Sequence, residues 1–324
     1  MATADWGDVL QVQRMLTASS GRGARSAVFA GVVALVLAGC STSEDSRVAP
    51  PTEASTSGLD VSPTLDRESG AIVFPGDRFD VTNAEAVLLA AASGYVVKDC
   101  INDHGISFSP PVDAWDPLYD VSSYFGVWTV PVAERFGFVS PMTSADMRAN
   151  DVMVDGEPVP ESTEPPAAWR SNDLGSEEAQ AVIAACSSAD GAARFDQLAL
   201  TAGPWQADLD SAFDAARQTQ EWDDAVDEYR GCLSDKGIAP DPDDELAVVG
   251  QDLYEIDAEQ ISLALEVVGC KDDVMLVDRL AGLVSAFQAP VIDEYATDLV
   301  AYRASVDAVV AEARALLADH GVSL

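Results

Sequence analysis

Two stretches of this chain end in the same way, and each carries a cysteine just inside its end. One reads Tyr95-Val-Val-Lys-Asp-Cys100-Ile-Asn-Asp-His-Gly105-Ile106, the other Tyr229-Arg-Gly-Cys232-Leu-Ser-Asp-Lys-Gly237-Ile238. Both contain Cys-[Ile/Leu]-x-Asp-x-Gly-Ile. The pattern has a mechanism. A glycine past the last helical turn takes the left-handed conformation without a Cβ clash, and the apolar residue after it packs back onto the helix. Each copy is followed by a second helical stretch with a cysteine near its end, Ile183-Ala-Ala-Cys186 and Val268-Gly-Cys270. The chain therefore reads as two related halves, each with its own bridge. Four cysteines allow three connectivities, and the repeat favours Cys100–Cys186 with Cys232–Cys270.

The rest of the chain after residue 82 is mostly helical in pattern. Asn83-Ala84-Glu85 opens an alanine- and leucine-rich stretch that runs through Tyr95 to His104. Residues 205–235 carry Trp205, Leu209, Phe213 and Ala216, then Trp222, Val226, Tyr229 and Leu233. Spacings of three and four place each set on one buried stripe. Residues 257–270 repeat this with Ile261, Leu265 and Val268. Residues 273–318 sustain the alternation through Val291, Tyr295, Leu299, Tyr302, Val306, Val309, Ala313 and Leu316, as in a long helix packed along its length. Pro290 is expected to kink that helix or mark its start, and His320-Gly321 to stop it. The fold expected is all-α: a disulfide-bonded helical bundle of two related halves, with a long C-terminal helix and one irregular insert.

The insert is residues 106–175. It holds Pro110-Pro111, Pro117, Pro131, Pro141 and Pro158, and ends near Pro165-Pro166. A short helix signal runs from Pro131 to Phe136, closed by Gly137. Phe108, Trp115, Tyr119, Tyr124, Phe125, Trp128, Phe136 and Phe138 crowd into its first half. Long loops need packing of their own, so these rings are expected chiefly to pin the insert onto the helices. The functional reading makes Trp115, Tyr119, Tyr124 and Trp128 a candidate binding surface for sugar, peptide or partner.

The N-terminus carries an address. Arg22 and Arg25 precede the apolar run Ala27–Ala38, which leads into Leu37-Ala38-Gly39-Cys40. A positive flank, a short apolar run and small residues before a cut make a secretory signal peptide, and the run is shorter than the roughly 20 residues of a membrane span. Leu-Ala-Gly-Cys resembles the lipobox of bacterial lipoproteins. That resemblance implies cleavage before Cys40 and a lipid on its sulfur, with the protein held at the outer face of the cell membrane. Each buried methylene contributes about 0.8 kcal/mol, so two or three acyl chains anchor stably. Met15 is a second candidate start. The organisation expected is a signal peptide over 1–39, a Ser-, Thr-, Pro- and acid-rich disordered tether over 40–71, and a helical extracytoplasmic domain over 72–324. In an oxidising compartment, four remaining cysteines point to two disulfides.

Charge excludes more than it assigns. The chain has 18 Lys+Arg against 55 Asp+Glu and a formal net charge of -37. Nucleic acid is an unsuitable partner, because phosphate neutralisation needs clustered Lys and Arg. The acidity keeps a protein soluble and repels anionic headgroups, so only lipid on Cys40 is expected to hold it to the membrane. Two histidines and no Cys-x-x-Cys give little to zinc. Asp241 to Asp252 lacks the central Gly of a calcium loop, and Asp151 to Ser162 has Gly156 without the final Glu. Nucleophile elbows, phosphate loops and dinucleotide fingerprints are absent from the sequence. No cofactor, metal or catalytic residue is assigned. The carboxylate pairs Asp223-Asp224, Asp241-Pro-Asp243-Asp244-Glu245 and Asp272-Asp273 are what such an acidic chain contains by chance.

The lipobox, the two Cys-x(4)-Gly helix ends, Tyr124-Phe-Gly-Val-Trp with Ala133-Glu-Arg-Phe-Gly137-Phe, and Ala264-Leu-Glu-Val-Val-Gly-Cys270 leading into a long charged helix form an order. In that order the chain is similar to a group of actinobacterial helical surface lipoproteins, over residues 82–318. The resemblance implies a disulfide-bonded envelope protein and transfers no catalytic residue. The function expected is non-catalytic binding or scaffolding toward an envelope protein or cell-wall partner. The alternative is an envelope hydrolase that uses paired carboxylates.

Overall fold

The computed structural model describes residues 48–51, 57–108, 124–160, 175–188, 190–196, 200 and 203–322. The α-helices among them are α1 (Asn83–Asp103), α2 (Val130–Phe136), α3 (Ser144–Ala149), α4 (Glu177–Ser187), α5 (Asp190–Ala193), α6 (Trp205–Ala216), α7 (Gln220–Asp235), α8 (Ala258–Asp273) and α9 (Leu276–Asp319). Their starts follow local chemistry. Thr82, Thr143, Ser176, Thr219 and Asp257 each accept, through a side-chain oxygen, the N–H three residues on. At Thr82 the cap is reciprocal, because Glu85 reaches back to the Thr82 N–H.

Both helix ends marked by the repeat close as their sequences require. Gly105 and Gly237 lie at φ 79° and 77°. The Ile106 N–H then bonds the Ile101 carbonyl at 3.4 Å, and the Ile238 N–H bonds the Leu233 carbonyl at 2.9 Å. Cys100–Cys186 joins α1 to α4, and Cys232–Cys270 joins α7 to α8. This is the connectivity the repeat favours.

The 44-residue α9 is the spine, about 66 Å long at 1.5 Å per residue. Met275, in the left-handed region at φ 51°, separates it from α8, and the two axes meet at 59°. Its first turns enter the main core. There Leu276, Leu280 and Val284 pack with Trp222, Tyr229 and Leu233 of α7, Val267 and Val268 of α8, and Phe125 and Trp128. Its last turns carry Val306, Val310, Ala313 and Leu317 against Leu88, Leu89 and Tyr95 of α1. Between these cores, Ile292 and Leu299 meet Trp205 and Leu209 of α6. Pro290 neither starts nor ends α9 but lies inside it. Lacking an N–H, it cannot bond the carbonyl four residues earlier, and packing along both flanks holds the helix through the gap.

The fold is mostly helical rather than strictly all-α. Thr64–Leu65 (β1) and Ile72–Val73 (β2) form an antiparallel pair. Met153–Val154 (β3) lies between Glu157–Pro158 (β4), antiparallel, and Glu255–Ile256 (β5), parallel. Each strand has two residues, too short to leave an alternating pattern in sequence. The second sheet ties the insert to the start of α8. The body also begins earlier than the tether expected over 40–71. Ser57 N–H bonds Asp293 Oδ1 on α9 at 2.9 Å, Leu59 and Val61 pack beside Ile292 and Leu299, and Arg78 donates to the carbonyls of Asp60 and Ser62. A sparse set of apolar residues suffices there because the partners come from α9, far away in sequence. Among the described residues no single helix is long and apolar enough to cross a membrane.

Candidate functional site

The cleft of interest lies where the 124–141 segment crosses the C-terminal end of α8. Lys271 follows Cys270, whose bridge fixes α8 against α7. The residue is 3% exposed. Nζ donates to the carbonyl of Phe125 at 2.5 Å and to that of Val127 at 2.8 Å, and lies 5.7 Å from the centre of the Tyr229 ring. Gly126, between the two carbonyls, sits at φ 64°, and a Cβ there would stand 3.5 Å from Nζ. The glycine thus lets the backbone wrap the amine. Burial pushes the Lys271 ammonium down to about 7, with the charge of Asp244 working the other way. Among the described residues no carboxylate forms an ion pair with it.

The adjoining residues complete one wall. The Trp128 indole donates to the Gly70 carbonyl at 2.7 Å, which seats the β1–β2 turn on the insert. Thr129 precedes α2 at the cap position, yet its hydroxyl caps nothing. Thr129 Oγ1 is buried without a hydrogen-bond partner among the described residues. The opposite wall is the 241–253 loop, held by its own side chains and by Gln260 of α8. Asp241 Oδ1 accepts the Asp243 and Asp244 N–H groups, Asp244 Oδ1 accepts that of Leu246, and Gln260 bridges the Gly250 carbonyl and the Asp252 N–H.

Between the walls is a cavity of about 270 Å³. Val127, Trp128, Val132, Phe138, Leu246 and Val267 supply apolar surface; Lys271 and Thr129 are its buried polar groups, with Asp244 exposed at the rim. A second cavity of about 490 Å³ adjoins it, sharing Tyr124, Asp244 and Leu246 and adding Trp222, Arg217 and Arg230. Glu245 accepts from both Arg217 and the Trp222 indole there. Tyr124 stands 44% exposed between the cavities, its ring edge-on to Phe74 at 4.9 Å. Burial, together with the charges of Asp77, Asp80 and Asp210, pushes its hydroxyl up to about 12. Asp77 is itself raised to about 6, by burial first and Asp80 second, although it accepts the Phe74 N–H.

Of the ring set singled out from sequence, Tyr124 is at the surface and Trp128 is not. Trp128 is buried at 2% exposure, so it forms wall rather than open platform. Phe125, Phe136 and Phe138 are buried too, and pin the insert as a long loop requires. Cys40, Trp115 and Tyr119 lie outside the described residues. Lys271 and Thr129 were missed. The available signal was a lone lysine placed three and four residues after the buried Val268 and Val267, on the core stripe of α8.

Some of these carboxylates serve the frame. Asp241 and Asp244 cap turns, and Asp272 pairs with Arg67 at 2.8 Å on the surface. The ligating atoms of Cys100, His104 and Cys186 lie within 4.8 Å of one another, but the two sulfurs are bonded to each other and are not thiolates. His320 faces Asp99 at 3.1 Å and lies on the Tyr95 ring, as a helix-end side chain.

No family model, curated protein or solved structure matches the chain.

Proposed function

We propose that this is a lipid-anchored extracytoplasmic binding protein. Lipid on Cys40 holds it to the outer face of the cell membrane, and it binds a ligand of the envelope without transforming it. The two bridged helix pairs are related halves in this reading. The observation that carries it is the cleft: a preformed cavity whose walls mix apolar side chains with convergent polar groups, a form that small-molecule sites take. Two disulfides between helices support a location in an oxidising compartment.

The test has two arms in intact cells. Metabolic labelling with an alkynyl fatty acid should mark the full chain and not its Cys40→Ala variant; equal labelling would remove the anchor. A photo-crosslinking residue in place of Tyr124, at the surface between the cavities, should capture a ligand that the same residue at Val300 does not. Identical capture from both positions would remove the cleft as the binding site. Replacing Trp128 is unsuitable for this purpose, because its burial makes the variant a test of folding.

A further inference from the structure

We infer that the Lys271 cavity takes a compact organic monocarboxylate with a branched or aromatic apolar body. This rests on reading the cleft as the binding site and names what enters it. Three observations converge. The first is an unbalanced cation. Lys271 has three N–H donors, of which two are held by the Phe125 and Val127 carbonyls, and its ammonium has no carboxylate partner among the described residues. A buried ammonium whose counter-charge is only the exposed Asp244, which forms no ion pair with it, is under-compensated, and a ligand carboxylate arriving at the third N–H compensates it directly.

The second is Thr129. Its hydroxyl is buried and unpartnered in the wall of the same cavity. Unmade hydrogen bonds of buried polar groups cost about 1–3 kcal/mol. An acceptor ligand recovers that cost, since the hydroxyl can donate to a carboxylate oxygen. The third is shape and charge at the rim. The volume of about 270 Å³ is just under the roughly 300–1,000 Å³ of small-molecule sites, so the occupant is small. The walls contributed by Trp128, Val132, Phe138 and Val267 fit an apolar body. Asp244 at the rim, within a chain of net charge -37, opposes anions in general, so the cavity accepts no more negative charge than the single Lys271 ammonium can balance.

The chain has only three lysines, Lys98, Lys236 and Lys271, which makes the test direct. The full chain, labelled with ¹³C at lysine Cε, is titrated with phenylacetate and 3-methylbutanoate, and with their neutral amides. The acids should move the Lys271 resonance saturably and raise its ionisation midpoint by about one pH unit or more, leaving Lys98 and Lys236 in place. Thr129→Val should weaken the acids about tenfold. Ser140→Trp, at an exposed position on the cavity lining, should block them with unfolding unchanged. If the amides move Lys271 as far as the acids, the cavity binds but carboxylate recognition is overturned and the binding-site reading stands. If neither acid moves Lys271, the inference fails, and photo-crosslinking at Tyr124 still decides the cleft separately.

Discussion

Lys271 on α8 donates to the carbonyl oxygen of Phe125, 146 residues earlier, at 2.5 Å. That contact closes the insert over the main core, and it makes stability depend on pH in a defined direction. In the unfolded chain the lysine titrates at its ordinary 10.5; folded, it titrates at about 7. Between those values the unfolded state binds the extra proton, so this group's contribution to stability rises with pH. Urea unfolding of the native chain and of Lys271→Met, each at about pH 7 and pH 9, isolates the effect. The difference in stability should move in favour of the native chain by about 2 kcal/mol over that interval. An unchanging difference would mean that Lys271 keeps its proton.

Asp77 behaves oppositely. Its folded value of about 6 lies above the ordinary 3.8, so the native state holds the proton more tightly. The stability this confers is full below about pH 4 and lost as pH rises through about 6. Asp77→Asn keeps an oxygen for the Phe74 N–H and removes the buried charge. The variant should be more stable than the native chain by about 2–3 kcal/mol near pH 7.5 and equal to it near pH 4. Thermal melts at both pH values check this.

The two disulfides should differ in worth. Their sequence separations are 86 and 38 residues. Chain-entropy scaling makes each about 4 kcal/mol, the longer one larger by about 0.7 kcal/mol. Double alanine variants at Cys100 with Cys186, and at Cys232 with Cys270, compared by denaturant unfolding, measure the two. Non-reducing peptide mapping of the native chain should recover 100 linked to 186 and 232 to 270, and a link from 100 to 232 would contradict the structure.

Arg303 joins α9 to the start of α1. It donates to the Asp80 carbonyl at 2.7 Å and to both oxygens of Glu85, while Glu85 also caps α1. The guanidinium beside Glu85 and the Thr82 N–H hold that carboxyl below its usual range against its burial. Arg303→Met should cost about 1.5–3 kcal/mol. A double-mutant cycle with Glu85→Gln should show strong coupling; additive losses would mean that the pair acts only through independent contacts.

What was legible in the sequence was local. The Gly105 and Gly237 helix ends and the stripes of α7 and α9 each follow from residues a few positions apart, and the cysteine pairing follows from the recurrence of one such local pattern, although its bridges span 86 and 38 residues. What was not legible was long-range. Residues 57–71 read as tether because their partners, Asp293 and Arg78 among them, are not neighbours in the sequence window. The two-residue strands carry no period. Pro290 read as a kink or a start because local chemistry disfavours it within a helix; it does not start α9, and packing from α6 lies beside it. Lys271 drew no reading from the sequence, since nothing in it announces that the Phe125 and Val127 carbonyls will meet the amine.

The bond between Ser57 and Asp293 sets how load enters the molecule. Asp293 lies about 26 Å along a helix about 66 Å long, so a pull from the N-terminal side reaches the rod near its fulcrum and not at a tip. The Lys271 cleft belongs to one arm of this beam and the Cys100–Cys186 staple to the other. Tension along that segment would therefore load the contacts of Ser57, Leu59 and Arg78 before it reached either arm.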